Sequence, residues 1–228
     1  DKNKLKLILG ILNKFKIKII SSGGTYKEIK RLGYQCKEVS KFTNSSELLE
    51  GRVKTLHPKI HAGILNKRNN KSHKKQMVLN KYESIDLVIV NFYPFEKTLK
   101  KTKNKKKIIE NIDIGGPTLV RSAAKNYSDV TVVTNIDQYS ELIDELQKNK
   151  GSTSIEFRQK LSEEAFTETA YYDSAITNYF NSLSKNNFPK KKLIYGNLIE
   201  KLRYGENPHQ KAAIYSYNKS LEIKQLHG

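Results

Sequence analysis

The chain has 228 residues, 37% of them hydrophobic, and carries a formal net charge of +19. That length fits one large domain, or one domain with part of another, and that apolar share is enough to build a core, which excludes a disordered chain. No apolar run approaches the roughly 20 residues that span a bilayer, and a single cysteine, Cys36, excludes an internal disulfide and fits a reducing, cytoplasmic setting.

Residues 4–15 carry apolar side chains at 5, 8, 9, 11, 12 and 15, a helical spacing. The stretch is interrupted by Lys6 and Gly10 and lacks a small-residue cleavage site, so no signal peptide is expected. Residues 17–20 predict a short buried strand, ended by Ser21-Ser22-Gly23-Gly24-Thr25. Thr25 is expected to cap a helix to about Leu32, with Gly33 as its stop. Residues 36–39 predict a second short strand, in which Cys36 reads as a small buried hydrophobe.

Next comes Gly51-Arg52-Val53-Lys54-Thr55-Leu56-His57-Pro58-Lys59-Ile60-His61-Ala62-Gly63-Ile64-Leu65, which has few core-forming groups and many that need partners. Arg52 and Lys54 stand on alternate positions, which in an extended stretch sends both to one side. The His57-Pro58 step keeps the residue before proline out of the helical region. The segment predicts an anion site on a rigid turn, with a solvated basic loop as the plainer alternative for the two cations alone. His57 and His61 lack a metal-ligand set and read as turn and packing residues.

A helix is predicted over residues 73–82 and a strongly apolar strand over 85–90, ended by a turn at 91–95. Lys100 to Lys107 reads as a solvated loop or helix face, with a helix over about 105–111. Only six of the 42 basic residues are arginines, whereas readers of base edges and phosphates lean on arginine's planar fork. Lysine spread along the chain with abundant Asn and Ile points to composition bias rather than nucleic-acid binding. Gly115-Gly116-Pro117 opens a helix to Lys125, residues 130–134 predict a strand, and Asp137 is expected to cap a helix to about Lys148. From 154 to 182 the pattern is wholly helical, and residues 186–192 read as a linker.

Strands alternating with helices imply an open parallel α/β sheet flanked by helices, with ligands bound past the carboxyl ends of the strands. The turn at residues 22–25 and the turn at 91–95 both follow strands and belong at that end. Two glycines in the first turn let backbone approach a ligand, and the helix start favours an anion, although such turns also arise for steric reasons. Around residues 111–126, Asp113 precedes a glycine pair at a helix start, and Thr118, Arg121, Ser122 and Lys125 share one helix face. A carboxylate and an ammonium so placed can form a base and acid pair; an ordinary amphipathic helix is the alternative.

These segments, together with Arg203-Tyr204-Gly205-Glu206-Asn207-Pro208-His209-Gln210, occur in an order and spacing that resembles the bifunctional AICAR formyltransferase / IMP cyclohydrolase family of purine biosynthesis. The resemblance covers essentially the whole chain. It implies a methylglyoxal-synthase-like fold for residues 1–192, closing the purine ring by converting FAICAR to IMP with loss of water. By similarity Lys2, Ser22, Gly23, Gly24, Thr25, Arg52, Val53, Lys54 and Thr55 bind the nucleotide, mainly at its phosphate. Val90, Asn91, Asp113, Ile114, Gly115 and Gly116 match further nucleotide contacts. Lys125 matches the proton donor and acceptor, with Tyr93, Asp113 and Lys54 assisting. No metal or cofactor is implied for ring closure.

Two departures accompany the resemblance. The family opens with a strand and a serine-containing loop, of which Asp1-Lys2 matches only the end, so the first strand is expected to be missing and its neighbours' backbone groups exposed. Residues 193–228 match the start of the formyltransferase domain, where Arg203 and Tyr204 correspond to AICAR-binding positions. The transferase would use 10-formyltetrahydrofolate as cosubstrate, and the family forms homodimers with no nucleic-acid or membrane partner. The alternatives are a lyase of the methylglyoxal synthase type, an inactive truncated remnant, and a basic nucleic-acid-binding module.

Overall fold

The apolar spacing at the start of the chain folds as helix α1 (Leu5–Lys14), which buries Leu5, Ile8, Leu9, Ile11 and Leu12. The computed structural model describes residues 4–184 and 188–216, so Lys2 lies outside the described residues. The chain divides into two compact units, Asp1–Ala170 and Tyr171–Gly228.

In the first unit α1 leads to β1 (Ile20–Ser21), α2 (Gly23–Arg31), β2 (Lys37–Glu38) and α3 (Val39–Thr43). After a turn come α4 (Pro58–Leu65), α5 (Lys71–Leu79), β3 (Leu87–Ile89), α6 (Phe95–Lys101) and α7 (Lys105–Glu110). Helix α8 (Gly115–Lys125), β4 (Thr131–Val133), α9 (Tyr139–Lys148) and the start of α10 (Ile155–Leu183) complete it; the boundary between the units falls inside α10. Among the described residues no helix is long and apolar enough to cross a membrane.

The strands are parallel, as the alternation with helices requires, and they pair as two ribbons: β1 with β2, and β3 with β4. Each is shorter than its apolar run because a ladder extends only as far as its partner. Thr131 N–H donates to Asp86 O and Val90 N–H to Val133 O, so the even-numbered backbone groups of this segment face β4. Leu87 and Ile89 turn theirs the other way, as does Ile20 on β1, where Ile19 O accepts from Lys37 N–H. The open sheet is thus interrupted between β1 and β3. Across the interruption Lys18 Nζ reaches Glu83 Oε2 at 3.3 Å, joining the segments that enter the two strands.

The core lies behind β4. Val130, Val132, Val133, Val120, Ala123, Leu142 and Leu161 are all fully buried, packing β4 among α8, α9 and α10. Asn126, just past α8, donates to the carbonyls of Ile64 at 2.8 Å and Asn66 at 3.1 Å, which ties the ends of α4 and α8 together. Without that amide the Ile64 carbonyl would lose this donor, while the Asn66 carbonyl keeps Arg68 Nη1.

Three local expectations change. Helix α2 starts at Gly23 with Ser22 as its N-cap residue, so Thr25 lies inside the helix instead of capping it. Asn135, not Asp137, provides the cap before α9: its side chain and Gln138 form a reciprocal capping box over the 3-10 turn Ile136–Gln138. Pro58 opens helix α4, with His57 Nδ1 accepting from Lys59 N–H at 3.1 Å, so the rigid turn gives way to a helix.

In the second unit β5 (Asn197–Lys201) pairs antiparallel with β6 (Ala213–Ser216), with a register shift between Leu198 and Glu200. The loop between them is closed by Gly205 N–H to Gln210 O and Gln210 N–H to Asn207 O, each 2.9 Å. Arg203 and Tyr204 sit exposed at its start.

Candidate active site

A cavity of about 2430 Å³ opens between β1 and β3 and runs past their carboxyl ends. That exceeds the roughly 300–1,000 Å³ of a small-molecule pocket, because the space between the strand edges is continuous with the space above them. The upper part gathers most of the expected site. Ser22, Gly23, Gly24, Thr25, Arg52, Lys54, Thr55, Val90, Asn91, Tyr93, Asp113, Ile114, Gly115 and Gly116 all line it.

Local backbone chemistry explains the gathering. Gly23 takes φ +53°, strained for any residue with a Cβ, and a Cβ there would come within 3.4 Å of Lys54 Nζ. The turn after β1 therefore lets the ammonium close on its backbone. Asp113 Oδ1 accepts from Gly116 N–H at 2.9 Å, satisfying one of the free amides at the start of α8. A Cβ on Gly115 would lie 2.6 Å from Thr55 Oγ1, so glycine is what allows the 51–55 turn to pack against that helix. Asn91 Nδ2 donates to Thr134 O at 2.8 Å, holding the ends of β3 and β4 together where the site begins. Tyr93 and Ile114 are open to solvent at 54% and 57%, leaving both free to meet a ligand.

Arg52 and Lys54 do not lie on an extended stretch. Residues 51–55 form a turn, Arg52 is in the right-handed helical region, and the two cations diverge. Arg52 forks onto Glu110, its Nε 3.2 Å from Oε1 and its Nη2 on Oε2. Lys54 Nζ is 3.5 Å from Glu47 Oε1. Both still face the cavity, because the turn replaces the alternation that a strand would have supplied. Sequence reading passed over the two carboxylates. Glu47 lies just ahead of the glycine turn, but no local pattern links Glu110 to a residue 58 positions earlier.

Behind the turn, His61 Nδ1 is 3.2 Å from Ser122 Oγ, and that hydroxyl donates to Thr118 O at 2.8 Å. The Ser122 oxygen is left as acceptor, which assigns the His61 proton to Nδ1. Burial holds the His61 pKa below its ordinary value, and the nearby Thr55 backbone partly opposes the effect. Nε2 is buried and makes no well-formed hydrogen bond. His61 thus braces the anion turn against α8 from outside the cavity. Cys36 is partly buried on the cavity wall, and desolvation raises its thiol pKa, so it is not poised as a nucleophile.

Four expected positions stand apart. Val53 is half-buried in the turn and accepts from Leu56 N–H, without lining the cavity. Lys125 is exposed at the last position of α8, about 15 Å along the axis from Gly115. Arg203 and Tyr204 belong to the second unit. Among the described residues no group of three or more His, Cys, Asp or Glu side chains could hold a metal ion.

Residues 8–118 match the family model described as "MGS-like domain", and residues 123–228 match "AICARFT/IMPCHase bienzyme". Similar curated relatives carry the name bifunctional purine biosynthesis protein PurH. The one from Bradyrhizobium diazoefficiens is 47% identical over 200 residues, 88% of this chain and 38% of the relative. The one from Elusimicrobium minutum is 42% identical over 230 residues, 100% of this chain and 44% of the relative. That from Prochlorococcus marinus (strain MIT 9515) is 49% identical over 208 residues, 91% of this chain and 40% of the relative. The chain therefore spans about two-fifths of the length of these relatives. Among solved structures, "Crystal structure of ForH" superposes with a TM-score of 0.70 at 28% identity, covering 79% of this chain and 94% of that one.

Proposed function

The chain belongs to the AICARFT/IMPCHase bienzyme family, and on that premise we propose that it carries the ring-closing half of the reaction pair, FAICAR to IMP plus water, in purine nucleotide biosynthesis. The observation that carries the reading is the single cavity that gathers the Ser22–Thr25 turn, the cations Arg52 and Lys54, and Asp113 with the glycine-rich start of α8. Residues 1–192 are read as the cyclohydrolase domain. Residues 193–228 are read as the start of the formyltransferase, whose AICAR contacts would include Arg203 and Tyr204 and whose cosubstrate would be 10-formyltetrahydrofolate. Whole-protein activity in a cytoplasmic homodimer is part of the same reading.

The chemistry suits the groups. The carboxamide nitrogen bonds to the formyl carbon and loses a proton; the hydroxyl of the resulting carbinolamine then leaves with a second proton as water. Nucleophile and electrophile share one molecule, so holding the reactive rotamer supplies much of the acceleration, and effective molarities for such reactions reach roughly 10⁵–10⁸ M. The Gly23-Gly24 turn, Arg52, Lys54 and Thr55 fix the phosphate end. Asp113 is read as accepting the nitrogen's proton, and the α8 amides as facing the developing oxyanion. Tyr93 stands exposed at the mouth as a further proton carrier. Val53, Val90, Asn91 and Ile114 are read as shaping the nucleotide seat, and Lys2 as a further phosphate contact. Lys125 enters by resemblance alone. A lyase of the methylglyoxal synthase type would leave the match over residues 123–228 without a role.

The test is conversion of FAICAR to IMP followed by ultraviolet absorbance, with Lys54→Ala and Lys125→Ala beside the wild type. Turnover that falls by at least about 10²-fold in both variants supports the reading, the range typical of a lost proton carrier. Unchanged turnover in Lys125→Ala removes that residue from the mechanism. A folded chain that forms no IMP, even with an apolar strand-forming segment added ahead of Asp1, overturns it.

A further inference from the structure

Both cations of the 51–55 turn already hold a carboxylate. Lys54 Nζ lies 3.5 Å from Glu47 Oε1, and Arg52 forks onto Glu110, which itself lines the cavity. The four side chains are 32–64% exposed, so water screens both pairs and either can open readily. Glu47 reaches Lys54 across an unusual piece of backbone: Leu49, Glu50 and Gly51 take φ of 50°, 54° and 86° in succession. Two of these are residues with a Cβ in the left-handed region, where strain is expected. The turn that brings the carboxylate onto the ammonium is thus held against local backbone preference, which an incidental surface pair does not require.

We propose that Glu47 and Glu110 are counter-ion residues of the anion site, occupying Lys54 and Arg52 until an incoming phosphate displaces them, and so holding ligand affinity down. The inference rests on the reading of this turn as a phosphate seat and deepens it. Displacement exchanges one anion for another at each cation, so Lys54 and Arg52 stay paired and ordered throughout. Glu47 and Glu110 touch neither phosphate nor reacting atoms; they act through the cations and are positioning residues.

The experiment measures binding of inorganic phosphate by calorimetry to the wild type, Glu47→Gln, Glu110→Gln and Lys54→Ala, at low salt and at about 1 M salt. Glutamine keeps the size and removes the charge. The proposal expects each glutamine variant to bind phosphate about 3- to 10-fold more tightly at low salt, the scale of one exposed charge a few ångströms from the ligand. The gain should shrink at high salt, where the screening length falls to about 3 Å. Unchanged or weaker binding in both glutamine variants overturns it, because residues needed only to orient the cations would lose affinity when changed. Wild-type binding that Lys54→Ala does not weaken overturns the phosphate seat itself, separately from any result on ring closure.

Discussion

Strands β4 and β1 of the first unit are both short and parallel-paired but lie in opposite environments. All three residues of β4 are buried, and Val132 and Val133 are fully so. Both residues of β1 are only half-buried, and β2 is exposed or half-buried throughout. The difference lies in what covers each ribbon. Helices α8, α9 and α10 bury β4, whereas β1 borders the cavity and carries the glycine turn at its end. β4 is scaffold and β1 is given over to a site, while β3, paired with β4 on one side, turns its other edge to the same cavity. Stability and ligand chemistry are segregated because groups that must meet a ligand cannot also be sealed into a core.

Three measurements sharpen or break that contrast. The largest effect is expected from Leu142→Ala, which empties a fully buried position beside β4. Urea unfolding should show a loss of about 2–5 kcal/mol, while Ile19→Ala in the half-buried entry to β1 should cost less than half as much. Equal costs would mean that the entry to β1 is as deeply buried in the shared core as β4. Next, Asn126→Ala removes the amide that serves the carbonyls of Ile64 and Asn66. A loss of about 1–3 kcal/mol is expected, and a neutral result would mean that the scaffold does not need this tie.

The smallest effect is a pH dependence at the junction of scaffold and site. Burial lowers the His61 pKa in the folded state, so below the ordinary value of 6.5 the unfolded chain binds the proton more readily than the folded one. Stability should therefore fall as pH drops from about 6.5 through the folded-state value, and hold steady above it. Comparing urea midpoints at pH 7.5 and 5.5 for the wild type and His61→Asn tests this. Asparagine keeps a donor for Ser122 and cannot titrate, so the variant should lose the pH-dependent part. A difference that survives the change would assign the titration elsewhere.

Much of this architecture was legible in the sequence. Spacing at Leu5, Ile8, Leu9 and Leu12 marked α1, and Gly115-Gly116-Pro117 marked the start of α8, because helix periodicity and helix starts are local properties. The glycine turn after β1 and the cations at 52 and 54 were also visible, since positive φ and charge belong to single residues. Caps were less secure: Asn135 and Asp137 are equally good capping residues, and only the reciprocal bond with Gln138 chose between them.

Tertiary structure alone decided the rest. The sequence pointed to short parallel strands and to exposed backbone groups in the sheet, but not to the facing edges of β1 and β3 as the place, since pairing depends on what lies alongside. It placed Lys125 on a polar helix face, whereas the rise of the helix put that residue at the far end from the cavity. It identified Arg52 and Lys54 as cations and left unstated that Glu110 and Glu47 hold them. Charge is written in the residue, but the partner of a charge is set by chain segments that meet only on folding.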